Sequence, residues 1–233
     1  LISIYEHHYN KLTDYKYLNV NSTSYLIDLR ITKNQFLLNL NQSTRHSIKK
    51  FIERNEYEVK FIKGKDSSKK IFDAYQNAHF RSAGRKTRSQ ATFDLQFKMM
   101  QNDEAFLTVL NLKGIDMGFL FTSTFQNTAC LFSIANLPEY EKEYPIYKIM
   151  IYEIFNYLKK HRYQYALFGR PSTKNLVQGF LDYTDEKGLS ISKYKRGYGP
   201  NILENFRGIK YFDKDCLIED LDNFKSRTLE VIK

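Results

Sequence analysis

This 233-residue sequence predicts an α+β (mixed α/β) fold: an antiparallel meander continued by one parallel βαβ pair and flanked by helices. Three observations lead there. First, "AFLTVLNLKGIDMGFLFTSTFQNTACLFSIAN" holds three apolar and aromatic runs, 105–112, 117–124 and 128–134, separated by turns at Lys113-Gly114 and Gln126-Asn127. Connections this short make antiparallel neighbours. Second, Pro145 suits a first helical turn, and Ile146, Ile149, Met150, Ile154, Tyr157 and Leu158 then recur at helical spacing through Lys160. Third, "YALFG" (165–169) is a short apolar strand ended by glycine. Strand, helix and strand in that order form a right-handed crossover, which sets 128–134 and 165–169 parallel.

The remaining elements follow in chain order. Residues 1–24, rich in Tyr, Asn, Ser and His, read as an edge segment followed by a loop, and "SYLIDL" (24–29) alternates like a strand. From Thr32 the spacing becomes helical, with Phe36, Leu37 and Leu40 on one face, and Ile48, Phe51 and Ile52 carry a second helix after a polar break. Arg45, Lys49 and Lys50 fall outside that second stripe and can act together on something outside the core. "YEVKFI" (57–62) reads as a strand ended by Gly64. Asp66 is the expected cap of a helix whose stripe is Ile71, Phe72, Tyr75, Ala78 and His79. The cationic loop "RSAGRKTRS" (81–89) leads to a short helix capped by Thr92. Two more strands are expected near 189–196 and 206–212, and a terminal helix over 217–232.

A hydrophobic content of 42% with 15% aromatics can fill a core. The apolar runs fall short of the roughly 18 residues a membrane span needs, and the N-terminus lacks a signal pattern, so a cytoplasmic protein is expected. Cys130 and Cys216 lack CxxC spacing and a histidine partner, which disfavours a disulfide scaffold or a metal site. The net charge of +10 is concentrated: residues 30–90 hold 15 Lys/Arg against 5 Asp/Glu, and the rest of the chain holds 21 against 21. A basic block of this kind suits an anionic partner such as a phosphate-bearing substrate, nucleic acid or a membrane surface, or is a solvated helix face.

The basic helix pair, the meander, the crossover helix and the glycine-ended strand, in that order, resemble the GNAT acyltransferase fold, and more closely its Fem-type (FemAB-like, BioF2-like) branch from bacteria. The residues that carry the likeness are "STRHSIKKFIERNEYEVK" (43–60), "KEYPIYKIMIYEIFNYLKKHRYQYALFGRPST" (142–173) and "GLSISKYKRGYGP" (188–200). The resemblance covers about 25–210. It implies a GNAT-like acyltransferase domain over 31–212, an N-terminal edge segment over 1–30 and a C-terminal helix over 213–233. Because the chain opens on Leu1 rather than Met, the first segment also reads as the tail of an upstream domain. The resemblance further implies that the two parallel strands splay apart around the acyl donor. In the fold at large, a glycine-rich loop at the crossover helix holds the pyrophosphate of acyl-CoA. The equivalent loop here, "NLPEYEKEYP" (136–145), has no glycine and carries Glu139, Glu141 and Glu143, which would repel a pyrophosphate. Fem-type enzymes that use aminoacyl-tRNA also lack that loop.

The implied activity is transfer of an acyl or aminoacyl group, from acyl-CoA or aminoacyl-tRNA, to an amine of a cell-envelope or sugar-nucleotide precursor. The acceptor would be phosphate-bearing or lipid-linked, and no metal is implied. Backbone amides of 128–134 could serve the oxyanion, Glu143 or Glu139 could act as base, and Tyr140, clustered with Tyr144 and Tyr147, could protonate a leaving group. Arg45, Lys49, Arg81, Arg85 and Arg170 are candidate phosphate or carboxylate clamps, since guanidinium binds such groups bidentately. In "KYKRGYGP" (193–200), read as a strand ending in a turn, Lys195 and Arg196 would point to opposite faces, and Lys195 is the candidate for the cleft. The alternatives are a non-catalytic module that binds nucleic acid or an anionic surface through 30–90, and a degenerate half-site serving as an interface.

Overall fold

A computed structural model of the chain describes residues 2–6, 16–53, 57–172 and 185–232. Its elements in chain order are β1 (Ile2–Glu6), β2 (Leu18–Asp28), α1 (Lys33–Asn39), α2 (Gln42–Ile52), β3 (Tyr57–Ile62), α3 (Lys69–Ala83), α4 (Gln90–Gln101), β4 (Ala105–Leu112), β5 (Ile115–Phe125), β6 (Thr128–Asn136), α5 (Ile146–Lys160), β7 (Tyr165–Leu167), α6 (Glu186–Arg196), β8 (Asn201–Lys210) and α7 (Lys214–Ile232). Short 3-10 turns lie at Gly64–Asp66 and Pro138–Tyr140. The chain divides into two compact units, one of Leu1–Leu26, Arg170–Arg196 and Pro200–Lys233, the other of Ile27–Gly169 and Gly197–Gly199.

In the larger unit the strands lie in the order β7, β6, β5, β4, β3. The pairs β3·β4, β4·β5 and β5·β6 are antiparallel, and β6·β7 is the parallel pair that the crossover through α5 requires. Alternation divides the sheet into two faces. Leu107, Val109, Phe119, Phe121 and Ala135 pack with Phe72, Tyr75, Ala78 and Phe93 of α3 and α4. Gly118 opens onto α5: a Cβ there would come within 2.5 Å of Ile146 Cγ2 and Met150 Sδ. That helix buries Ile149, Ile151, Ile154, Phe155 and Leu158. The helices α1 and α2 cover it, with the Phe36 ring edge-on to Phe155 at 4.9 Å and Lys148 Nζ donating to Ser47 Oγ at 3.0 Å.

The helix starts differ from expectation by a few residues. Ser68, not Asp66, caps α3, and Ser89, not Thr92, caps α4, each serine oxygen accepting the amide three residues on. Asp66 sits in the 3-10 turn instead, and the Thr92 amide is the one that Ser89 satisfies.

In the smaller unit β8 pairs antiparallel with both β1 and β2. Here one expectation fails. Residues 189–196 are not a strand but most of α6, and the strand placed at 206–212 runs from Asn201 to Lys210. In α6 the Ser192 hydroxyl is buried and meets Tyr25 Oη at 3.0 Å, accepts from the Ser172 amide at 3.0 Å and from Arg196 Nη1 at 3.3 Å. Lys195 therefore stands in the last helical turn, and the idea that it and Arg196 face opposite sides of a sheet no longer applies.

Candidate active site

The edge, the polar clusters and the loop into α5 all belong to the larger unit. Pairing between β6 and β7 is confined to Thr128–Tyr165, Ala129–Ala166 and Cys130–Leu167. There β7 stops, while β6 continues to Asn136. The β7-facing edge of 131–136 thus has no strand partner within this unit. A bulge marks the same stretch: Thr122 pairs with Leu131 and Phe121 with Ser133, so Phe132 is the extra residue, and its ring is exposed.

At the end of β6 three side chains from three elements converge. Asn136, on β6, is 1% exposed. Its Oδ1 accepts from the Tyr147 hydroxyl of α5 at 2.5 Å and from the Ser82 hydroxyl of α3 at 3.3 Å. Its Nδ2 is buried with no partner among the described residues. Burial pushes the Tyr147 phenol up, the Glu141 charge adds to this, and the Ser82 hydrogen bond opposes it. The group stays protonated at neutral pH and can act as a proton donor.

The connection into α5 engages five of its own amides. Tyr140 N donates to Leu137 O, Glu141 N to Pro138 O, Glu143 N and Tyr144 N to Tyr140 O, and Ile146 N to Tyr144 O. Pro145 contributes no N–H, and Glu139, Glu141 and Glu143 are all exposed. An anion cradle at a helix start needs free amides. In the first turn of α5 the amides of Tyr147 and Lys148 are not bonded to a carbonyl among the described residues, so what stands against the pyrophosphate of acyl-CoA is the charge of Glu139, Glu141 and Glu143 and the five loop amides already engaged. Arg81 reaches Glu139 through one guanidinium nitrogen at 2.8 and 2.9 Å. The Glu139 carboxyl lies below its ordinary range, chiefly because its own backbone amide donates to it and then because of Arg81. That is the opposite direction from a tuned general base.

A second polar group lies on the α3/α4 face of β6. Arg88 Nη1 donates to Ser133 Oγ at 2.6 Å, and its guanidinium carbon sits 5.1 Å from the centre of the Phe132 ring. Tyr75 Oη donates to Gln96 Oε1 at 3.3 Å. Burial pushes the Tyr75 phenol up, against hydrogen bonds from Ser133 and Arg88. His79 is buried among Tyr75, Phe80 and Phe93, and desolvation first, then the Arg88 charge, holds its pKa down. His79 Nδ1 and Gln96 Nε2 have no hydrogen-bond partner among the described residues.

The residues singled out in the sequence are thus distributed unevenly. Tyr140 and Glu139 lie in the 3-10 turn, and Glu143 is exposed just before α5. Tyr144 packs against Phe51 at 6.2 Å, which leaves Tyr147 as the phenol in the polar cluster. Arg45, half-buried, and Lys49, exposed, share α2 at i, i+4. Arg85 is exposed in the α3–α4 loop, and Arg81 is engaged by Glu139. Arg170 and Lys195 belong to the smaller unit. Asp116 lies in β5 beside the 113–114 turn and accepts from Asn111 Nδ2 at 2.7 Å. Sequence reasoning passed over Ser82, Arg88, Ser133 and Asn136. Only Arg88 carried a signal, as one of four cations in the 81–89 loop.

Residues 39–195 match the model of a family described as an acetyltransferase (GNAT) domain. A search of curated proteins finds no match. Among solved structures, FemX is similar at 11% identity with a TM-score of 0.65, over 81% of this chain and 61% of that chain. L-PGS from Bacillus licheniformis is similar at 13% identity and a TM-score of 0.64, over 98% of this chain and 73% of that one. The C-terminal domain of a putative lysylphosphatidylglycerol synthetase from Agrobacterium fabrum is similar at 12% identity and a TM-score of 0.65, over 90% and 67% respectively. At these identities the likeness is one of fold. The chain spans less than two thirds of the length of FemX. Among the described residues no helix is long and apolar enough to cross a membrane, and no cluster of His, Cys, Asp and Glu could hold a metal ion.

Proposed function

The chain belongs to the GNAT acetyltransferase-domain family, and from that premise we propose that it is an N-acyltransferase using an aminoacyl-tRNA as donor and an amine of a cell-envelope precursor as acceptor. The observation that carries the choice of donor is the accounting at the start of α5. Five amides of the loop, from Tyr140 to Ile146, are bonded to the loop's own carbonyls, and three carboxylates, Glu139, Glu141 and Glu143, precede the helix start. A tRNA ester asks nothing of that loop. The fold likeness to a putative lysylphosphatidylglycerol synthetase, by its name an aminoacyl-transferring enzyme, accords with this reading.

In the proposed reaction the acceptor nitrogen attacks the ester carbonyl of the donor beside the β7-facing edge of 131–136, which has no strand partner among the described residues of the larger unit. Amides of 131–136 that do not face β5 take up the oxyanion. Glu143, which unlike Glu139 has no arginine pinned to it among the described residues, accepts the proton lost by the amine. The C–O bond to the ribose then breaks, and the departing oxygen takes its proton from Tyr147, which recovers one from solvent. In this scheme Tyr147 replaces Tyr140 as the acid, and Glu139 positions Arg81. Arg45, Lys49 and Arg85 supply phosphate contacts.

The reading is tested by thermal shift and transfer of a labelled aminoacyl group. Charged tRNA is expected to stabilise the chain and donate its label, and acetyl-CoA to do neither. Stabilisation by acetyl-CoA alone would reject the proposed donor.

A further inference from the structure

Arg88 is a cation that the larger unit draws inward without a carboxylate within ion-pair distance among the described residues. It is half-buried and meets the hydroxyls of Ser133 and Tyr75. A guanidinium withdrawn from water without a counter-charge is costly unless an anion completes it. Its surroundings offer what such an anion would meet. Ser133 Oγ lies against Arg88, His79 Nδ1 and Gln96 Nε2 are buried and unpartnered nearby on α3 and α4, and the Phe132 ring stands exposed at the bulge. Arg88 lies 5.1 Å from the centre of the Phe132 ring and donates to Ser133 through Nη1, and a guanidinium has further N–H groups with which to meet an oxyanion.

The location selects which reactant brings the anion. Ser133 pairs with Phe121 and so shares the α3/α4 face, whereas Gly118 looks onto α5. Arg88 therefore approaches the bulge from the face opposite α5, where Tyr147 waits for the leaving group. A donor and an acceptor that meet at one carbonyl must reach it from different sides.

We propose that Arg88, with Ser133, is a specificity-determining site for an oxyanion, carboxylate or phosphate, carried by the acceptor amine close to its nucleophilic nitrogen. The inference rests on the reading of the chain as an acyltransferase with an amine acceptor. It narrows the acceptor to amines bearing their own negative charge, such as amino acids or phosphorylated amino alcohols.

The test is calorimetric binding with two matched pairs of probes, glycine against glycinamide and O-phosphoethanolamine against ethanolamine. The anionic member of at least one pair is expected to bind roughly 10- to 100-fold more tightly. Arg88→Gln should abolish that preference and Arg88→Lys retain part of it, with circular dichroism confirming the fold of both variants. The pair that discriminates tells carboxylate from phosphate. Equal binding within both pairs, no binding by any probe, or a preference that survives Arg88→Gln would overturn the site. Binding is read without turnover, so a chain that prefers anionic amines yet ignores charged tRNA would sink the proposed donor and leave the site standing.

Discussion

Replacing Tyr147 with phenylalanine separates chemistry from packing at the end of β6. The substitution keeps the ring in its place at the first turn of α5 and removes only the hydroxyl. Asn136 Oδ1 then loses its shorter hydrogen bond and keeps the 3.3 Å bond from Ser82. One neutral hydrogen bond between part-buried partners is worth about 1 kcal/mol net, and an acceptor that retains a second donor does not become an orphan. For a domain of this size that lowers the melting temperature by roughly 2–4 °C. A positioned proton donor contributes about 100- to 10,000-fold to rate. The two roles therefore predict outcomes orders of magnitude apart. The assay is aminoacyl transfer from charged tRNA, read beside thermal unfolding of the same preparation. The expected result is a near-native melt with kcat down at least about 100-fold. Transfer that falls only a few-fold would refute the acid role and reduce the Tyr147–Asn136 contact to a structural one.

Other consequences can be checked separately. His79 has a folded pKa below 6.5, so the unfolded chain binds more protons around that pH, and the stability it contributes is present above about 6.5 and lost as pH falls. Arg88→Gln removes the second of the two causes, so the His79 pKa, followed by NMR, should rise; an unmoved titration would mean that Arg88 does not act on the imidazole. Arg45→Ala with Lys49→Ala should weaken tRNA binding and reduce the slope of log affinity against log salt by about 2, if both meet phosphate. An unchanged slope places the contact surface elsewhere. Tyr198→Ala should cost about 3–5 kcal/mol in urea unfolding, since the ring is fully buried between Phe155 and Phe168. A loss under about 1 kcal/mol would mean the larger unit does not depend on that anchor.

How much of this was legible in the sequence varies with the kind of signal. The β4–β5–β6 meander and the α5 crossover were readable because strand and helix periods are local and the turns short. The failure at 189–196 has a local cause as well. "LSISKYKR" alternates Leu189 and Ile191 with serines as the start of a half-buried strand would, and its neighbouring glycines look like strand ends. In the structure the helix is decided by Ser192, whose hydroxyl gathers Tyr25, Ser172 and Arg196, partners distant or late in sequence that no periodicity announces. The two glycines serve a different end. Gly197 O accepts from the Asn41 amide, and at Gly199, whose φ is +63°, a Cβ would fall 2.5 Å from Asn39 O. Between them Tyr198 enters the core, so "RGYGP" is an aromatic peg held by close backbone approach, not a phosphate cradle.

The candidate site was less legible because its key property, compensation of charge, is tertiary. The 81–89 loop offers Arg81, Arg85, Lys86 and Arg88 as equivalent letters, yet the fold treats them differently. Arg81 is neutralised by Glu139, 58 positions away, and Arg85 and Lys86 are exposed. Arg88 alone of the four turns in against a β6 serine 45 positions away. The same holds for the glutamates before α5, of which only Glu139 is pinned by an arginine and shifted away from the range of a base. A cation or carboxylate becomes a candidate for chemistry when the fold withdraws it from water and leaves it without its opposite. By that criterion Arg88, which the sequence does not distinguish from its neighbours, is a stronger candidate for holding substrate than Arg81, which motif reasoning selects.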